Sequence, residues 1–157
     1  MLTFGFFAAA RNLGFDRPIP VLAFVCYAFG AMSVLLAASM SGLVAPRLIE
    51  ARAGATGNEE EMIHQLLHLE YALNQAFATL YVGLVSAAIL LFTLAWSGQG
   101  FLGATVRLLG VVVGAGMFAW LVSGTLKLNV HGMGAVVIAQ GVWTILAAFA
   151  LLARKAD

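Results

Sequence analysis

The chain has 157 residues, 62% of them hydrophobic and only 10% charged, with a net charge of +1 and a mean hydropathy of +0.99. A soluble domain carries roughly 45–50% apolar and about 25% charged residues, so this chain lacks the polar groups to cover a water-facing surface and lipid must be its solvent. Eight Lys and Arg against seven Asp and Glu make no basic patch for phosphate, which excludes nucleic acid as a partner, and the single cysteine, Cys26, excludes an internal disulfide.

Residues 1–10 are apolar but few. Arg11 follows the run, whereas a secretory signal has its basic residues first. The segment 1–14 therefore reads as a short interfacial piece kept in the chain, the alternative being a cleaved signal. Residues 21–45 carry no charge, and Pro46 and Arg47 close the run. A spanning helix needs about 20 apolar residues, which places the first span at about 20–45.

The stretch NEEEMIHQLLHLEYALNQAFAT begins at Asn58. Asparagine is a good helix cap, and Glu59, Glu60 and Glu61 favour the positive end of the helix dipole. An outward amphipathic extension over 58–70 is expected to run unbroken into the second span, 71–96. The third span is placed at 107–126 and the fourth at 131–153. The fold expected is all-α: one domain over 1–157, a bundle of four transmembrane helices with each backbone group satisfied inside its own helix.

Orientation follows from Lys and Arg near the span ends. Arg11, Arg17, Arg107, Arg154 and Lys155 fall on the side of the two termini, and Arg47, Arg52 and Lys127 on the other. Both termini are expected to be cytoplasmic, in a bacterial inner (plasma) membrane, with the 46–70 and 127–131 loops outward. Small residues let membrane helices approach closely. Gly110, Gly114, Gly116 and Gly124 in the third span, and Gly134 and Gly141 in the fourth, read as helix contacts, either within the monomer or with further copies or other membrane subunits. Trp120 and Trp143 lie inside spans and are expected to fill the core.

At about 100° per residue, Glu61, His64, Gln65, His68, Gln75, Thr79, Gly83 and Ser86 share about one third of the helix circumference. Met62, Leu66, Leu69, Leu73, Phe77, Leu80 and Leu84 occupy another face. The polar stripe starts in water and continues several turns into the membrane, where polar groups must face a bundle interior or a wet cavity. A polar cleft of Gln65, Gln75, Thr79 and Ser86 with Gln140 is expected, as a path for protons or a seat for a solute. Glu70 and Asn74 fall almost opposite. Glu70 reads as an interfacial carboxylate with Lys127, Arg47, Arg52 or a partner subunit as its counter-charge.

The three histidines all belong to the outer face. Glu61 and His64 have the Glu-x-x-His spacing of carboxylate-bridged bundle sites, His68 lies one turn on, and His131 opens the fourth span. With Glu61 they form a candidate ligand set for zinc or copper. Met40, Met62 and Met133 near the same face add thioethers that suit copper(I). Haem ligated by His131 with His64 or His68 is a further possibility. No Ser/His/Asp or Cys/His arrangement and no phosphate-cradling glycine loop is present, so no catalytic residue is assigned.

In size and helix count the chain is similar to the membrane-associated eicosanoid and glutathione metabolism proteins, four-helix trimers that use glutathione. That family binds glutathione through an arginine and asparagine motif in its second helix. Here Asn74 and Gln75 lie in that region with no arginine beside them. The leading expectation is a non-catalytic subunit or accessory component of a membrane complex or homo-oligomer. The alternatives are a metal- or haem-binding protein and a small-molecule transferase or channel-like protein using the cleft.

Overall fold

The computed structural model describes residues 2–98, 100–126 and 128–153. Among them there are helices and turns and no strand. In chain order these are α1 (Leu2–Gly14), α2 (Pro18–Ser39), a π-turn (Met40–Val44), α3 (Ala45–Arg52), α4 (Asn58–Ala95), α5 (Gly100–Val122) and α6 (Val130–Ala153). Four helices, running 18–52, 58–95, 100–122 and 131–153, are long and apolar enough to cross a membrane.

The first of these does not stop at Pro46. Proline has no N–H, and its ring clashes with the carbonyl of the preceding turn. The chain absorbs this with the π-turn, in which Ala45 N–H bonds Met40 O five residues back. Pro46 then sits at the start of α3, where the wider π-turn accommodates its ring and its missing donor. Pro46 therefore does not end the helix: 18–52 is one continuous 35-residue helix.

Helix α4 has 38 residues and runs unbroken from the outer extension through the second span, as its pattern predicts. Its cap differs from the expectation. Gly57, with φ of 61° and ψ of −127°, occupies the cap position in a conformation that only glycine adopts readily, and Asn58 is already helical. The third span lies nearer the N-terminus than 107–126. The turn 96–98 is short, so α5 begins at Gly100 and ends at Val122, and Gly124 follows with φ of 69°.

The spans alternate in direction. Gly30 of α2 faces Val85 of α4, Gly114 of α5 faces Leu90 of α4, and Trp143 of α6 donates from Nε1 to Val106 O of α5 at 3.1 Å. In lipid there is no hydrophobic drive to press helices together, so close packing must hold them. Three glycines supply it. A Cβ on Gly110 would run into Thr93 Oγ1 and lie 2.6 Å from Trp143 Nε1; on Gly114 it would lie 2.6 Å from Leu90 Cγ; on Gly30, 2.7 Å from Val85 Cγ2. Gly110 is therefore the point where α4, α5 and α6 meet. The other expected contacts differ: a Cβ on Gly116, Gly124, Gly134 or Gly141 would meet nothing within 4 Å, so these face outward from the chain. Trp143 fills the core at 2% exposure, whereas Trp120 is 39% exposed and does not.

The N-terminal segment is a helix that enters the bundle. The turn 15–17 folds α1 back along α2, and Phe6, Ala10 and Leu13, at helical spacing on one face, are buried. Phe6 stacks on Tyr27 with ring centroids 3.7 Å apart and tilts against Phe92 at 5.6 Å. Aromatic pairs of this kind contribute about 0.5–1.5 kcal/mol beyond the area they cover, which explains why a 13-residue helix stays docked.

Candidate functional site

At a rise of about 1.5 Å per residue, α4 is about 57 Å long, nearly twice the roughly 30 Å of hydrocarbon. The α5–α6 connection reaches only as high as Gln75, whose Nε2 donates to Leu128 O at 3.4 Å. About 20 residues suffice to cross the hydrocarbon, and the second span expected at 71–96 leaves residues 58–70 of α4 outside it. At this end α3 packs against the first turns of α4 as a hairpin. Arg52 and Glu60 tie its tip with an exposed ion pair at 3.2 Å, and Ile63 packs inside it at 4% exposure.

The predicted site residues divide into two groups. On the hairpin, Glu61, His64, Gln65 and His68 are all exposed. The rings of His64 and His68 meet edge to face with centroids 4.5 Å apart. Gln65 Nε2 donates to Glu61 Oε1 at 3.2 Å, which commits part of that carboxylate within its own helix. His131 opens α6 and is exposed. Among the described residues no three His, Cys, Asp or Glu side chains converge on one point, so the structure brings together the two imidazoles and not the set of Glu61, His64, His68 and His131. Met62 is 57% exposed, and Met40 and Met133 are half-buried.

The five expected cleft residues differ in burial. Gln65 and Thr79 are exposed and Gln75 is half-buried. Ser86 is fully buried and Gln140 is 4% exposed. The inner two belong to a seam between α4 and α6 that includes a residue not singled out from sequence: Tyr81 donates from its hydroxyl to Gln140 Oε1 at 2.8 Å. Ser86 Oγ and Gln140 Nε2 have no partner. Buried polar atoms normally find one, and both can hold a water or a polar solute group at this depth. Tyr81 lies on the α4 face shared by Val82, Val85 and Ile89, and a hydroxyl on an otherwise apolar packed face is the signal that would have found it.

Glu70 departs from its expected interfacial setting. It is 9% exposed, and its Oε1 has no partner. Arg52 is engaged by Glu60, Arg47 is exposed, and Lys127 lies outside the described residues. The register that sets Gly30 against Val85 and Arg52 against Glu60 carries Glu70 to the level of the π-turn. Position 70 is seven residues on from Ile63, on the same packed face, so its burial follows from the helical period. π-turns recur at functional sites.

The apolar face of α4 is the remaining feature. On the hairpin Met62, Leu66, Leu69 and Leu73 are 57%, 40%, 55% and 39% exposed, and Ile49 of α3 is 59% exposed. Comparison with known proteins gives no match to a family model, to a curated protein or to a solved structure.

Proposed function

We propose that this chain is a non-catalytic subunit of a membrane assembly, anchored through its four spans and presenting the α3–α4 hairpin to another protein chain. The observation that carries the reading is the row Met62, Leu66 and Leu69, continued by Leu73, exposed along the part of α4 that the expected span 71–96 leaves outside the hydrocarbon or at its edge. Within the bilayer an exposed leucine is covered by lipid. Above it the same side chain meets water, and a contiguous apolar stripe there marks an interaction surface. An amphipathic helix offering residues at i, i+4, i+7 and i+11 is the form in which helices seat in a partner's groove or against a second helix. The sparseness of catalytic groups agrees with this role. The basic residues favour cytoplasmic termini, so the hairpin faces outward, into the periplasm if the membrane is a bacterial inner membrane. The partner is a different membrane subunit or a second copy of this chain.

A photo-crosslinking residue placed at Leu66 or Leu69 in intact membranes tests the proposal. A discrete protein adduct is expected, lost when the neighbouring residues are made polar. Adducts with lipid alone, together with a native mass of one 16.5 kDa chain after gentle extraction, would refute it.

A second reading rests on the ring contact of His64 with His68. Two imidazoles one turn apart give half of a zinc or copper set, which a partner chain would complete. Elemental analysis and an absorption spectrum of chelator-free protein, beside His64→Ala/His68→Ala, decide it. Metal or haem lost in the variant supports the reading, and colourless metal-free protein sinks it.

A further inference from the structure

A cavity of about 320 Å³ lies between α1 and α6 at the end of the bundle opposite the hairpin. Its floor is Phe6, Phe92, Trp96 and Trp143, all at 6% exposure or less. Its rim is Leu2, Gly5 and Ala148, all exposed. A buried floor and an exposed rim make it a groove open sideways toward the surrounding lipid. It follows α1 from Leu2 to Leu13, which is about 16 Å of helix. The volume is about twice that of an engineered cavity of roughly 150 Å³ that holds benzene, and at the low end of the roughly 300–1,000 Å³ of small-molecule sites. A whole lipid is too large for it, whereas a length of acyl chain fits.

The lining also restricts the occupant. Thr144 is the one hydroxyl-bearing residue in the lining, and its Oγ1 already donates to Gln140 O at 2.8 Å. No histidine lines the groove, so nothing there ligates haem. Trp143 Nε1 is engaged with Val106 O, and Trp96 Nε1 is buried without a partner; the rest of the wall is apolar and accepts an acyl chain. Charge at this end of the bundle supplies the rest. The described residues at this end of the bundle expose Arg11, Arg17 and Arg107 against the single carboxylate of Asp16, and none of these arginines is in an ion pair. The opposite end exposes Arg47 and Arg52 against Glu50, Glu59, Glu60 and Glu61. Basic collars at a membrane surface attract anionic headgroups.

We infer that this groove is a binding site for an anionic phospholipid, with one acyl chain lying along α1 between Phe6 and Trp143 and the headgroup phosphate at the membrane surface, among the exposed arginines of this end of the bundle. The bound chain fills the space that α1 and α6 leave between them, so the lipid fastens the N-terminal helix to the last span. This site is independent of the hairpin and of what docks there.

The test uses the full chain, stripped of lipid in dodecyl maltoside and titrated with dioleoyl phosphatidylglycerol or, separately, dioleoyl phosphatidylcholine. Melting is followed by tryptophan fluorescence. The anionic lipid is expected to raise Tm by on the order of 5 °C near saturation, and the zwitterionic lipid to have a much smaller effect. A Cβ on Gly5 meets nothing within 4 Å, so Gly5→Leu plugs the groove from its rim. This variant should melt higher without lipid and lose the response to phosphatidylglycerol. Arg11→Gln/Arg17→Gln should bring the two lipids' effects together. Ala148→Leu plugs the other rim and serves if Gly5→Leu does not fold. If neither folds, native mass spectrometry of the unaltered chain decides, by showing or failing to show one retained phosphatidylglycerol in preference to phosphatidylcholine. Equal responses to the two lipids in the unaltered chain, or a response that survives either plug, would overturn the proposal.

Discussion

The two ends of this molecule are built on different principles. At the end that holds α1, helices α1, α2, α4, α5 and α6 all meet. Phe6 stacks on Tyr27 and leans on Phe92, and Gly110 lets Thr93 and Trp143 close on one point. At the outer end two helices stand alone, with Ile63 and Glu70 buried between them and leucines uncovered. In lipid, helices cohere by shape and by a few polar bonds, so the end that must hold the bundle together is the one with glycine and aromatic fit. The hairpin leaves its apolar stripe uncovered by the rest of the described chain. Close packing is thereby concentrated at one end of α4, and uncovered apolar side chains at the other.

That separation can be broken from either side. The largest effect is expected from Gly110→Leu, which drives a side chain into Thr93 and Trp143 and pushes three helices apart. Overpacking of this kind costs about 3 kcal/mol, and the variant should lose most of its folded fraction on extraction, read by size-exclusion profile and Tm. Phe6→Ala should follow at about 2–3 kcal/mol. It removes two aromatic contacts, frees α1, and should make the 15–17 turn susceptible to protease while α4–α6 stay intact. Tyr81→Phe strips Gln140 of its remaining side-chain partner. Membrane hydrogen bonds of this type are worth about 0.6 kcal/mol, so a drop in Tm of only a degree or two is expected. Arg52→Gln opens an exposed ion pair and should cost no more than about 0.5 kcal/mol. The comparison sharpens if Leu66→Ser/Leu69→Ser leaves Tm unchanged yet abolishes the hairpin's cross-links. A fall in Tm as large as that of Phe6→Ala would mean that the stripe is packed against the chain's own bundle.

The four spans were legible because the bilayer imposes a length on any run that crosses it, and the charges at Arg47, Glu70 and Arg107 punctuate the hydropathy. The unbroken α4 was legible too, since Glu59 to Ala95 contains neither proline nor a glycine cluster. Pro46 misled: a proline after an apolar run ends most helices, and only the hydrogen-bond pattern of residues 40–45 shows how this one continues. Among candidate site residues, the shared face of His64 and His68 followed from a spacing of four. The separation of Gln65 and Thr79 from Ser86 and Gln140 did not, because a helical wheel states direction and not what lies opposite.

What the sequence determined by itself is the solvent, the number of crossings and the periodicity of each helix, since these depend on local composition and on the fixed rise and turn of a hydrogen-bonded backbone. Which glycines touch and which face outward, that α1 belongs to the core, that Glu70 is buried, and that a groove lies between α1 and α6 were decided by tertiary structure alone. Each depends on the rotation and register of one helix against another. In lipid those are chosen by interdigitation of side chains from distant parts of the chain, which no local pattern encodes.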